Sequence, residues 1–197
     1  EFGGVVDSLG VTNADISGFS NVGAVAGQNN GTIDHCRSSG TITSFPRSWV
    51  SFGGLVGTVE GTITNSYSTV TMDCAASGIV GGLVGSGGNI INCFATGNVS
   101  GANNVGGLVG QAWAAIENCF ASGNVTATDG VVGGLVGEAV VWSVFTIKNC
   151  YATGSVTAVG SGTVGGLVGY AQQTVLDCYA TGAVSGPSAV GGLTGCA

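Results

Sequence analysis

Gly106-Gly107-Leu108-Val109-Gly110, followed by Ile116-Glu117-Asn118-Cys119-Phe120-Ala121-Ser122-Gly123-Asn124-Val125-Thr126, is the stretch that decides the fold. Its first half recurs intact at Gly53, Gly81, Gly133 and Gly165, with degenerate copies at Gly23 and Gly191 and a fainter one at Gly3. Its second half recurs as Ile33 to Thr43, Ile63 to Asp73, Ile90 to Ser100, Ile147 to Thr157 and Val175 to Ser185. The aberrant N-terminus offers Val11 to Gly18 as an earlier copy. Successive starts lie between 20 residues (Gly3 to Gly23) and 32 residues (Gly133 to Gly165) apart, a loose period of one solenoid turn.

Within each copy, short apolar pieces rich in β-branched residues are separated by Gly, Asn and Ser, the pattern of strands and turns. Helical repeats need uninterrupted amphipathic helices, and each interior glycine costs a helix about 1 kcal/mol. The pattern predicts an all-β fold, a right-handed parallel β-solenoid (β-helix) of about seven coils with three short strands per coil. It forms a single repeat domain over 1–197, with coils beginning near Gly3, Gly23, Gly53, Gly81, Gly106, Gly133, Gly165 and Gly191. Composition agrees. Glycine supplies 39 of 197 residues, yet 44% of the chain is hydrophobic and only two residues are proline, which argues against both collagen and a polar disordered segment. Three basic residues against ten acidic ones argue against nucleic acid or an anionic membrane surface as partner. No apolar run reaches the ~18 residues of a membrane-spanning helix, so no membrane insertion is expected.

Stacking turns each repeated position into a ladder. Val25, Leu55, Leu83, Leu108, Leu135, Leu167 and Leu193 form one core column; Ile33, Ile63, Ile90, Ile116, Ile147 and Val175 form a second; Ile42, Met72, Val99, Val125, Val156 and Val184 form a third. Three inward columns imply three walls, with the small column Ser38, Ser68, Ala95, Ala121, Ala152 and Ala180 suited to a tight corner. The column Asn13, His35, Asn65, Asn92, Asn118, Asn149 and Asp177 is expected at a turn, where Asn tolerates left-handed backbone and bonds from coil to coil.

A structural Cys ladder follows: Cys36, Cys93, Cys119, Cys150 and Cys178, with Ala14 and Ser66 at the same position. Buried free thiols compete there with strained inter-coil disulfides, because coils ~4.8 Å apart bring Cα atoms within disulfide range while keeping parallel Cβ vectors wide of it. The aromatic strip Tyr67, Phe94, Phe120, Tyr151 and Tyr179, preceded by Arg37, is either a stacking surface for a glycan or an edge-stabilising ladder. Outward positions flanking the third column give a nearly uncharged lattice, Thr41, Thr43, Thr71, Asn98, Ser100, Asn124, Thr126, Ser155, Thr157 and Ser185, interrupted by Asp73. This is the candidate binding face. Asn30-Gly-Thr32, Asn98-Val-Ser100 and Asn124-Val-Thr126 match the N-glycosylation sequon, which carries no weight if the host is bacterial.

The sequence offers little chemistry. The single histidine, His35, falls in the turn column, and the acidic residues look scattered over different coils, with no close carboxylate pair. No Cys-x-x-Cys pair supports zinc, and the glycine motifs lack the Lys-Ser/Thr of a phosphate loop. No enzyme activity, metal or cofactor is expected.

Gly-Gly-Leu-Val-Gly alternating with Asn-Cys-Tyr/Phe-Ala-Thr-Gly resembles the GLUG motif, over nearly the whole chain. The resemblance implies kinship with repeats of large bacterial surface proteins, including filamentous adhesins and the non-catalytic parts of some IgA peptidases. It implies an extracellular or cell-surface segment that binds a host glycan or protein, or acts as a spacer. Two alternatives stand beside it: a fibre subunit stacking head-to-tail on itself through open sheet edges, and an ice-binding protein using the flat Thr/Ser/Asn wall.

Overall fold

A computed structural model describes residues 3–45, 47–74, 77–140 and 144–197, with the side chains of 47–49 and 77 outside that description. Among the described residues the chain is strands and turns with no helix, and the strands pair in parallel into four sheets of seven, twelve, six and seven strands. The sheets run lengthwise through about seven coils, as the repeat predicts.

From Thr62 onward each coil carries five short strands rather than three. Taking the coil after Gly81 as the example, Ile90–Ile91 belongs to wall I, Phe94–Ala95 to wall II, Val99–Gly101 to wall III, Asn104–Gly106 to wall IV and Val109–Ala112 to wall V. Walls II and III share one sheet because the long strand Arg37–Ser44 spans both before later coils divide. The expectation of three walls failed because only three columns are bulky. Wall II is filled by Ala, and wall IV and wall V hide inside what reads as a single glycine motif.

The Asn column is the corner between walls I and II, and its members are left-handed whatever their type: His35 (φ 47°), Asn65 (49°), Asn92 (56°), Asn118 (53°), Asn149 (53°) and Asp177 (51°). The N-terminal coil departs from the expected alignment. Val5, Val6 and Asp7 pair with Thr32, Ile33 and Asp34, which puts Ser8 (φ 56°) in the Asn column. Asn13 and Ala14 instead lie at a register shift opposite Ser39 and Gly40, outside the Asn and Cys columns. Ile16 then regains register with Ile42.

Leu55, Leu83, Leu108, Leu135 and Leu167 are fully buried, as are the Ile and third columns from Ile33 to Ile147 and Ile42 to Val156. They do not share one core. One cluster joins the Leu, Ile, Cys and Ala columns with the Val of the glycine motif; the other joins the third column to Phe52, Val80, Val105, Val132 and Val164 of wall IV. The second glycine of each motif makes the division. A Cβ on Gly82, Gly107, Gly134 or Gly166 would fall 3.0, 2.9, 2.9 or 3.1 Å from the Cβ of Ala95, Ala121, Ala152 or Ala180, and would strike the carbonyl of the next coil. The small column therefore sits at a waist, not at an outer corner.

The third glycine closes the other side. A Cβ on Gly110, Gly137 or Gly169 would lie 2.8, 2.8 or 2.7 Å from the amide nitrogen of Val80, Val105 or Val132 in wall IV, so wall V folds back onto the outer side of wall IV. Gly-Gly-Leu-Val-Gly thus encodes a two-lobed cross-section. Its glycines stand where backbone meets backbone. Even this corner is hydrogen-bonded from coil to coil, Leu83 N donating to Leu108 O at 2.9 Å and Leu108 N to Leu135 O at 2.8 Å.

Candidate binding faces

The candidate lattice lies where the sequence places it, on wall III. Thr43, Asp73, Ser100, Thr126, Thr157 and Ser185 stand in register on consecutive coils, continued at the N-terminal end by Ser17. Thr41 pairs with Thr71 in the second outward column, which passes on to Asn98, Asn124 and Ser155. Ser17, Thr41, Thr71, Asp73, Asn98, Asn124, Thr126 and Ser185 are exposed, and Thr43, Ser100, Ser155 and Thr157 are half-buried.

The amides of that second column are partly spoken for. Asn98 Oδ1 accepts the Asn124 N–H at 3.0 Å, and Asn124 Oδ1 accepts the N–H and hydroxyl of Ser155 at 3.0 and 2.9 Å. Their carbonyls cap the backbone of the following coil. The freely presented groups are the hydroxyls of the first column, of which Ser185 donates weakly to Thr157 at 3.3 Å.

The aromatic strip is a continuous pile. Tyr67, Phe94, Phe120, Tyr151 and Tyr179 stack with centroids 4.8, 4.8, 4.9 and 5.1 Å apart and interplanar angles of 1 to 4°. A glycan stacks on ring faces, and here each inner ring's faces are covered by its neighbours. The strip offers edges and hydroxyls to solvent, plus the outer face of Tyr179, so its geometry is that of a stabilising ladder.

The Cys ladder is a hydrogen-bonding device. All seven cysteines are free, and Cys36, Cys93, Cys119 and Cys150 are buried while Cys178 is half-buried. The left-handed residue before each one leaves its N–H outside the regular pairing, and the side chain of the next coil accepts it. Cys93 N–H reaches Cys119 Sγ at 3.4 Å, and Cys150 N–H reaches Cys178 Sγ at 3.3 Å. Each thiol donates in turn to the carbonyl two residues back, Cys119 to Glu117 O at 3.1 Å and Cys178 to Leu176 O at 3.0 Å. Ser66 does the same work, accepting from Cys36 N–H at 2.9 Å and donating to Thr64 O at 2.6 Å. That is why serine substitutes in the column. Hydrogen bonding to Cys150 and Cys93, together with burial, pushes the Cys119 thiol far above its ordinary range. Off the ladder, burial raises the Cys74 thiol to about 12, and Cys196 is exposed.

The Asn column bonds as expected: Asn149 donates to Asn118, Asn118 to Asn92 and Asn92 to Asn65, each at 3.1 Å, and Asn65 to Asp34 Oδ1 at 2.9 Å. The ladder therefore delivers its amide hydrogens to a carboxylate. Bonds from Thr64 (2.6 Å) and Asn65, with His35 Nδ1 2.8 Å away, hold the Asp34 carboxyl down to about 2.

Two features escaped sequence reasoning. Asp7 and Asp34 are register partners, and with His35 they form an exposed to half-buried cluster whose ligand atoms lie within 4.8 Å of one another. The expectation of no carboxylate pair failed because the N-terminal coil was aligned from Val11 rather than Val5. Outside the waist, the notch between walls IV and V is lined by a polar seam, with Ser51 and Ser86 hydroxyls 2.7 Å apart and Glu138 Oε2 accepting from Asn104 at 2.6 Å and Gln111 at 2.8 Å. The signal for it is the polar residues flanking some of the glycine motifs, Ser51 and Asn104 before them and Ser86, Gln111 and Glu138 after.

Compared with known proteins, residues 20–43, 101–126, 129–157 and 160–185 match the family model described as the GLUG motif. Halomucin of Haloquadratum walsbyi is 40% identical over 57 residues, covering 29% of this chain and 1% of that protein's length. No solved structure matches the chain.

Proposed function

The chain belongs to the GLUG-motif repeat family, and on that premise we propose that it is a non-enzymatic segment of a surface or secreted protein, a stiff β-solenoid that presents wall III to a host glycan or protein. The observation that carries this is the hydroxyl column of Thr43, Ser100, Thr126, Thr157 and Ser185, exposed at Thr126 and Ser185, half-buried at the other three, and held in register through consecutive coils with Asp73 between Thr43 and Ser100. Rows ~4.8 Å apart offer repeated weak hydrogen bonds to an extended partner, and the absence of Lys and Arg among these positions favours a neutral ligand. The aromatic pile is assigned to stability.

A glycan and host-protein array with Thr126→Lys and Thr157→Lys as controls tests the reading. Binding that both substitutions abolish supports it; no binder at all reduces the segment to a spacer. A second reading is self-stacking into fibres. Concentration-dependent filaments in electron micrographs support that reading, and a monomer at high concentration removes it. Thermal hysteresis at millimolar protein that Thr43→Lys or Thr126→Lys abolishes would instead mark wall III as an ice-binding face.

A further inference from the structure

We propose that Asn30, Asn98 and Asn124 are acceptors for N-linked glycans, the last two beside the hydroxyl column of wall III. Thirteen asparagines occur in the chain, and these three alone have Ser or Thr at the second position after them. The fold sorts them the same way. Asn65, Asn92, Asn118 and Asn149 spend their Nδ2 hydrogens on the neighbouring coil, and each is followed at the second position by an aromatic residue. Asn98 and Asn124 are exposed, and only their Oδ1 atoms are engaged. Their Nδ2 groups make no hydrogen bond among the described residues.

The division of labour between the two amide atoms is the point. N-glycosylation replaces one Nδ2 hydrogen and leaves the carbonyl intact. In the transfer, Nδ2 attacks the anomeric carbon of a lipid-pyrophosphate-linked oligosaccharide; the C–N bond forms, the C–O bond to the pyrophosphate breaks, and the amide proton is lost to base. A glycosylated Asn98 still accepts the Asn124 N–H, and a glycosylated Asn124 still accepts from Ser155. The coil-to-coil cap survives the modification. Asn98 and Asn124 stand immediately before the wall III strands Val99–Gly101 and Val125–Ala127, two positions ahead of Ser100 and Thr126. Asn30 lies in the exposed turn between Ala26–Asn29 and Thr32–Asp34.

The proposal rests on the surface reading above, because the transferring enzymes act on exported chains. The test is glycopeptide mass spectrometry on the protein from its native cells, with protease shaving of intact cells in parallel. Expected are sugar-bearing peptides at one or more of the three sites, converted to Asp by peptide N-glycosidase. Ser100→Ala and Thr126→Ala should each erase the modification at their own sequon while leaving the asparagine cap and the fold in place. A chain that is shaved from the cell surface but carries unmodified asparagine at all three sites overturns the proposal and leaves the surface reading standing. A chain found only inside the cell overturns both.

Discussion

Gly134→Ala against Gly192→Ala is the sharpest perturbation the waist suggests. Both are the second glycine of their motif, but only one is covered by a following coil. At Gly134 the added carbon would lie 2.9 Å from the Ala152 Cβ and strike the Gly166 carbonyl, whereas at Gly192 it meets nothing within 4 Å. Carbon atoms settle at about 3.5–4.0 Å, so the coil at Gly134 must open by roughly 0.6 Å or more. Overpacking of this kind costs about 1–3 kcal/mol. Disturbing the bond from Gly134 N to Gly165 O, 3.2 Å long, adds roughly 1 kcal/mol. Gly134→Ala should therefore lose about 2–4 kcal/mol, and Gly192→Ala less than about 0.5 kcal/mol. Urea unfolding read by far-ultraviolet and near-ultraviolet circular dichroism measures both; two probes are needed because stacked repeats can unravel piecewise. Equal costs for the two variants, or a neutral Gly134→Ala, would refute the two-lobed packing.

Asn118→Ala should cost about 1–3 kcal/mol, because alanine resists the left-handed backbone and both ladder bonds are lost; Asn118→Gly, which tolerates that backbone, should recover the larger part in the same urea assay. Asp34 is held below its unfolded value of ~3.9, so its contribution is present above that pH and lost as pH falls through about 2. Acid titration of stability should show this decline in the native chain and not in Asp34→Asn. Among the thiols, Cys196 should react at once with a disulfide reagent at pH 8, and Cys36, Cys74, Cys93, Cys119 and Cys150 only on unfolding. Cys119→Ser should be better tolerated than Cys119→Ala, since Ser66 already fills the same bonding role two coils away in the column.

The bulky columns and the turn column were legible because each repeats one physical demand, apolar burial at Leu108 or left-handed backbone at Asn118, and repetition exposes a demand even in a single sequence. The five walls were not. Gly-Gly-Leu-Val-Gly reads as one turn because its glycines look alike, yet they answer three different contacts: a tight corner, the Ala column and the back of wall IV. The first coil misled for a related reason. Val11-Thr12-Asn13-Ala14 imitates the second motif in letters, while Val5, Val6 and Asp7 supply the actual partners of Thr32, Ile33 and Asp34, and the close carboxylates went unseen with them. On wall III, the positions were legible but not their duties. Asn98 and Thr126 look equivalent as polar outward residues, and only the coil-to-coil bonds separate a backbone cap from a free hydroxyl.

The in-register stack on which the binding face depends can be measured directly with paired nitroxide labels. Labels at Ser100 and Thr126, and at Thr126 and Thr157, sit on directly paired positions, ~4.8 Å apart along the backbone. Both pairs should show strong spin exchange in the electron paramagnetic resonance spectrum, while Ser100 with Thr157, two coils apart, should show dipolar broadening near ~10 Å. Uncoupled spectra for both adjacent pairs would contradict the solenoid and the face built on it.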